Sequence, residues 1–383
     1  MRRACLLLAL LWIFVLLPQG AMAAQLEVGG KSSFLMDVAT GTVLHESNAH
    51  EPLAPASVTK VMTMLLIMEA IDAGTIHWDD TVTTSEAAAA KGGSQVYLKV
   101  GETMTVTDML KSIAVSSAND CACAMAEHIA GSEAAFVERM NQRAKELGMN
   151  DTHFVNCTGL DDSEDAKNHR TSAHDIAIMS RQLLGSHPEI KKFTTIWMDS
   201  VRDGAFGLSN TNKLVRFYDG ATGLKTGFTS GAGYCLSASA MRDGMELIAV
   251  VMGAADSKER FHACKTMLDH GFANYALIQP DLTETGTVPV SLGTAAQVSP
   301  ILGEQSSLLI DKARKNAITT QVQLEETLTA PVARGQRLGT LTVKDGEQVL
   351  KEVPLVAGES VERLSYGNLF GMVLRQAAMA KPV

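Results

Sequence analysis

Positive charge is in short supply: 33 Lys and Arg stand against 42 Asp and Glu, a formal net charge of −9. Such a surface offers no hold on a phosphate backbone, which excludes nucleic-acid binding as the main function. Cysteine is scarce too, with six in 383 residues. That is too few for the dense disulfide framework of a small secreted scaffold. Cys121, Cys123, Cys157, Cys235 and Cys264 are expected as buried apolar residues. Cys121 and Cys123 invite a metal pair, but no histidine lies at ligand spacing, and positions i and i+2 diverge on a helix. No metal and no other cofactor is expected. Repeats and low-complexity tracts are missing. The apolar run at the start, Leu6 to Leu17, is shorter than the about 20 residues a membrane span needs. Preceded by Met1-Arg2-Arg3 and followed by Ala21-Met22-Ala23, it reads as an export signal over residues 1–23 rather than as a retained span.

What is present is apolar bulk. At 46% hydrophobic, the chain can bury a large core, so disorder is excluded and the length suits two domains. Phe34 to Val38 and Thr42 to His45 flank Ala39-Thr40-Gly41 as a hairpin. Ser57 to Ala73 is apolar nearly all round and stops at Gly74, the pattern of a buried helix. Helical periodicity extends from about Thr107 to Leu147 and from Ala173 to Leu184, and strand signals return at Thr222 to Phe228, Tyr234 to Met241 and Glu246 to Met252. Helices between opening and closing strands predict an α+β domain over 24–280, its sheet built from both ends of that stretch. A helix from Lys258 to Leu277 should close it. Ile318 to Val322, Leu338 to Val343 and Val349 to Leu355, with a turn at Lys344-Asp345-Gly346-Glu347, predict a small all-β domain over 281–356. A tail over 357–383 follows, either an amphipathic helix on a membrane surface or a helix packed on its own domain.

Three short motifs carry chemistry. Ser57-Val58-Thr59-Lys60 sets a hydroxyl and an amine one turn apart, so the amine reaches the hydroxyl. A serine needs a base, and a lysine serves only if burial or a neighbouring cation lowers its pKa; the apolar helix supplies the burial. Alone, Ser-x-x-Lys occurs by chance about once in a chain this long. It is followed by Ser117-Ala118-Asn119 and then by Lys225-Thr226-Gly227 in an expected strand. This order is that of penicillin-binding proteins and class A β-lactamases. Ser117 would relay a proton and Asn119 hold a substrate peptide through its amide. Lys225 would supply fixed positive charge, and Gly227 would let a substrate backbone lie against the strand edge. A substrate ending in a free carboxylate matches this set.

On these residues the chain resembles the low-molecular-weight penicillin-binding proteins, specifically the serine-type D-alanyl-D-alanine carboxypeptidases. Ser117 to Asp120, Gly148 to Phe154, Asp219 to Gly233 and the small β domain look like family segments too. The resemblance implies a β-lactamase/transpeptidase-like domain, an antiparallel sheet flanked by helices, followed by the β domain. It implies that Ser57 attacks the carbonyl between the two terminal D-alanines of a peptidoglycan stem peptide while Lys60 accepts its proton. The backbone N–H groups of Ser57 and Phe228 would form the oxyanion hole, Ser117 and Lys225 would complete the relay, and Thr226, Thr229 and Arg260 would contact or orient toward the terminal carboxylate. β-Lactams would acylate Ser57 as covalent inhibitors, and the exported protein would work in the periplasm or on the outer face of the cytoplasmic membrane. The tail is a weaker match to the amphipathic anchor of many relatives.

A class A β-lactamase should carry a Glu-x-x-x-Asn element between the second and third motifs, and Thr152 to Asn168 holds none that convinces. A peptidoglycan DD-endopeptidase and a non-catalytic wall-binding protein or β-lactam sensor stay open as alternatives.

Overall fold

A computed structural model describes residues 26–283, 285–368 and 370–371. The expected export signal and the last part of the expected tail, residue 369 and residues 372–383, lie outside the described residues. A five-stranded antiparallel sheet organises the first part of the chain, in the order Val43–Ser47, Ser32–Asp37, Met245–Ala254, Gly233–Arg242 and Ala221–Thr229. Opening and closing strands share it, as the α+β reading requires. The period of two divides its residues between two cores. Phe34, Met36, Ile248, Val250 and Met252 face the larger core, built with the helices Lys60–Asp72, Val106–Ser116, Asn119–Ala130, Glu133–Glu146 and Ala173–Ser186. Leu35, Leu247, Ala249 and Val251 face the other way, against the helix Ser257–Asn274.

Three local expectations change. The stretch from Thr107 to Leu147 is three helices, broken where Ser117 (φ 63°) and Gly131 (φ 82°) turn left-handed. Apolar period runs through both breaks because it registers which residues are apolar, not their backbone angles. The nucleophile motif starts in a 3-10 turn, Ala56–Thr59, and the α-helix begins only at Lys60. The closing helix stops at Asn274, and Tyr275–Ile278 becomes a strand paired with Leu308–Asp311 of the β part.

The β part holds a four-stranded sheet ordered Pro300–Leu302, Gln348–Ala357, Arg337–Asp345 and Ile318–Leu324. Its hairpin turns at Gly346-Glu347, with Gly346 at φ 57°. The first residues of the expected tail are tied in: Val361, 1% exposed, sits in a small core with Val288, Val298 and Leu338 and bridges to Val332. No helix among the described residues is long and apolar enough to cross a membrane.

Candidate active site

Ser57 lies in the Ala56–Thr59 turn where the edge strand Ala221–Thr229 passes the start of the Lys60–Asp72 helix. In a 3-10 turn, residues i and i+3 eclipse one another. Lys60 Nζ accordingly donates to Ser57 Oγ at 2.9 Å. Its second bond goes to Thr158 O at 2.7 Å. Lys60 is fully buried, and that burial lowers its pKa to about 7 against the opposing pull of Cys157 and Asp120. An amine near neutrality beside a half-buried serine hydroxyl is the arrangement a serine nucleophile needs.

Several residues the sequence reading passed over fix this pair. Asn156 Oδ1 accepts from Thr158 N at 3.1 Å and Gly159 N at 2.7 Å, shaping the turn that aims Thr158 O at Lys60. At Gly159 (φ 79°) a Cβ would fall 1.8 Å from Ala56 O, so only glycine fits. Ala56 itself adopts φ 48°, unusual for a residue with a Cβ. It is held there by a chain: Val155 N–H donates to His169 Nδ1 (3.2 Å), His169 Nε2–H to Thr59 Oγ1 (2.8 Å), and Thr59 Oγ1 to Ala56 O (2.8 Å). Burial, then His153, Arg170 and Lys60, push the His169 pKa down to about 4, which keeps the ring neutral for both roles. Only the adjacent i+3 contact had a signal in the sequence; Thr158 is 98 residues from Lys60 and His169 is 110 from Thr59.

A consequence can be measured. Thr59→Val keeps the shape but leaves the His169 N–H buried without a partner and takes the hydroxyl donor from Ala56 O, a cost of about 1–3 kcal/mol. Acylation by a penicillin is expected to slow about tenfold, with reversible binding before acylation unchanged and the rate restored in Thr59→Ser. A wild-type acylation rate in Thr59→Val would show that the hydroxyl does not position Ser57.

The second motif stands at the junction of two helices. Ser117 ends one helix and Asn119 begins the next. Both are buried, and neither Ser117 Oγ nor Asn119 Oδ1 has a hydrogen-bond partner among the described residues. Asn119 Nδ2 donates to Gly92 O at 2.7 Å and its N–H to Ser94 O at 2.7 Å, so the Lys91–Ser94 loop is moored to this motif. Asp120 completes the mooring by accepting from Val96 N, Leu98 N and Cys121 N at 2.9–3.3 Å. Lys91 reaches back to Glu133 Oε2 at 2.6 Å, while Glu133 Oε1 accepts from Cys157 N at 3.3 Å. The loop is thereby linked to the turn that holds Lys60.

The third motif lies on the edge strand. Lys225 is buried, donates to Thr226 O at 2.9 Å, and has its pKa lowered well below normal by burial, by Lys60 and by Arg260. Burial first, and then its cationic neighbours, thus work against the positive charge expected of it. Thr226 Oγ1 donates to Thr211 Oγ1 at 2.7 Å. At Gly227 a Cβ would meet Pro55 O at 2.6 Å and Ser57 N at 3.1 Å. The absent side chain thus serves first to seat the nucleophile turn against the strand. Phe228 is half exposed and stacks on Tyr234, ring centroids 4.3 Å apart. Thr229 Oγ1 accepts from Ala232 N at 3.1 Å. Arg260 donates to Gly227 O at 2.8 Å and Cys235 O at 3.3 Å and lies over the Tyr234 ring; its Nε is buried without a partner among the described residues. It holds the strand from behind through Gly227. The five cysteines past the first segment are free and buried, as expected.

The first part of the chain, residues 19–256, matches the family model described as D-alanyl-D-alanine carboxypeptidase. The chain belongs to that family. Residues 272–363 match a second model, described as the C-terminal domain of penicillin-binding protein 5. Among relatives, the D-alanyl-D-alanine carboxypeptidase DacF of Bacillus subtilis (strain 168) is 44% identical over 354 residues, 91% of this chain and 90% of its own length. DacC of Escherichia coli (strain K12) is 34% identical over 94% of this chain and 92% of its own. The crystal structure of penicillin binding protein 5 from Haemophilus influenzae superposes with a TM-score of 0.69 at 30% identity, covering 88% of this chain and 98% of that one. Penicillin-binding protein D2 from Listeria monocytogenes, in its ampicillin-bound form, covers 64% of this chain and 99% of its own at 32% identity and a TM-score of 0.59. These likenesses bear out the family and the fold read from the motifs.

Proposed function

We propose that this chain is a serine-type D-alanyl-D-alanine carboxypeptidase that removes the terminal D-alanine from peptidoglycan stem peptides through an acyl-enzyme on Ser57. The observation that carries the assignment of the nucleophile is the 2.9 Å contact from a fully buried Lys60 to Ser57 Oγ, with the lysine pKa near 7. Lys60 takes the hydroxyl proton as Oγ bonds to the carbonyl carbon between the two D-alanines. The N–H groups of Ser57 and Phe228 stabilise the oxyanion, a contribution of about 10²- to 10³-fold in rate per donor. The C–N bond then breaks, and the leaving amine takes a proton by way of Ser117 and Lys225. Water attacks the ester and frees Ser57.

The terminal carboxylate pairs with Lys225 and offsets the burial that disfavours its charge. Thr226 and Thr229 offer hydroxyls beside it, and Arg260 keeps the strand in place from behind. Asn119 Oδ1 accepts from the substrate backbone. β-Lactams, which share the shape and carboxylate of that terminus, acylate the same serine. The reaction needs no cofactor. The protein acts on the outer side of the cytoplasmic membrane, where its substrate is, and the tail over 357–383 adds membrane-surface contact.

Incubating the protein with a pentapeptide ending in D-Ala-D-Ala is expected to release one D-alanine per peptide, read by a coupled oxidase assay. Penicillin labelling without any D-alanine release would overturn the carboxypeptidase assignment in favour of a β-lactam sensor, and cleavage of cross-linked dimers alone would favour an endopeptidase.

A further inference from the structure

We propose that His50, Asp151 and His174 form a binding site for one divalent transition-metal cation, zinc by the chemistry of its donors. One donor atom from each residue lies within 4.8 Å of the other two. His50 Nδ1 is 2.8 Å from Asp151 Oδ2, and the His50 and His174 rings lie side by side with centroids 4.4 Å apart. Two imidazoles and one carboxylate suit zinc, whereas calcium and magnesium take oxygen ligands.

The surroundings prepare the donors. His174 Nδ1 pairs with Asp175 Oδ1 at 3.0 Å, which leaves Nε2 as the ligating nitrogen. Asp175 is 1% exposed and its other oxygen accepts from Asp151 N (2.9 Å) and Thr152 Oγ1 (2.8 Å), so it is fixed. A fixed carboxylate behind a ligating histidine orients the ring and raises its basicity. Phe34 packs edge-on against the His174 ring at 5.4 Å, and Ser172 Oγ donates to Asp151 Oδ2 at 3.0 Å. Tetrahedral zinc with bonds of 2.0–2.2 Å wants its ligands about 3.3 Å apart. The adjustment from the present separations falls to His50, whose side chain is 63% exposed. Solvent takes the fourth position.

The cation would staple three segments that support the active site without entering it. His50 precedes the stretch in which Leu53 exchanges backbone hydrogen bonds with Thr171 (2.8 and 2.9 Å) on the way to Ser57. Asp151 follows the Glu133–Glu146 helix, and His174 opens the Ala173–Ser186 helix with its N–H on Ala49 O at 3.0 Å. The sequence reading expected no metal. Donors spread over positions 50, 151 and 174 make no spacing pattern.

The test uses protein made without a histidine tag, stripped with EDTA and titrated with zinc chloride by calorimetry and thermal melting. One equivalent is expected to bind, raising the melting temperature by a few degrees at saturation. His50→Ala and His174→Ala should each weaken binding by about tenfold or more, whereas His262→Ala, an exposed histidine elsewhere, should bind as wild type. Melts of the metal-free variants show whether each is folded, and the exposed His50 provides a substitution that does not disturb the core. The proposal fails if the wild type shows no saturable binding below about millimolar zinc, or if His50→Ala and the His50→Ala/His174→Ala double variant bind zinc as tightly as wild type.

Discussion

With Ser57 replaced by alanine, the protein is expected to release no measurable D-alanine from the pentapeptide and to take no label from a fluorescent penicillin. Its melting temperature should stay within a few degrees of wild type. The chemical reason is complete: without Oγ no ester forms, and loss of the nucleophile in a serine hydrolase costs on the order of 10⁶-fold in rate. The structural reason for retained stability is that the Ser57 side chain is half-buried and the turn is held by other atoms. Thr59 still donates to Ala56 O, and Lys60 keeps Thr158 O as an acceptor. Labelling that persists in Ser57→Ala would move the nucleophile elsewhere, with Ser117 the first residue to examine. Loss of the melting transition would mean the serine is needed for folding.

Lys60→Ala is expected to slow acylation by about 10²- to 10⁴-fold, the usual worth of a positioned general base, while the preceding reversible complex still forms. Arginine should not rescue it, because a guanidinium stays protonated and cannot act as a base. The wild-type pH profile follows from the same group. Burial disfavours the ammonium and brings the Lys60 pKa to about 7. Below that value the nitrogen carries a proton and has no lone pair to offer; above it the amine is free. Acylation should therefore rise with pH through about 7, whereas an ordinary lysine would place the rise near 10. A flat profile between about pH 6 and 8, or wild-type acylation in Lys60→Ala, would remove Lys60 from this role.

How much of the site was legible depended on distance along the chain. Ser57 and Lys60 could be paired because three residues separate them, and a turn of either helical type brings such positions together. That the turn is 3-10 and Ala56 left-handed was not legible, because no residue there has the composition of a strained turn. Lys225 could be placed on a strand from the pattern of its neighbours. Its depressed pKa could not, since that arises from burial in the tertiary fold and from Lys60 and Arg260 meeting it in space. His169 reads in the sequence as one polar residue at the end of a loop, and nothing there tells that both its nitrogens are engaged beneath the nucleophile. Gly159 is one glycine among 31, yet the 1.8 Å approach of Ala56 O singles it out.

By itself the sequence determined the alternation that divides the sheet's residues between two cores, the apolar helix that buries Lys60, and the order of three motifs that names the chemistry. These are local properties, set by which residues are apolar and how far apart they stand. Tertiary structure alone decided where the long helical stretch breaks, which carbonyl receives Lys60, which glycines are indispensable, and that two histidines and an aspartate meet. Each depends on atoms distant in the chain competing for one place, and the packing of the whole core settles that competition.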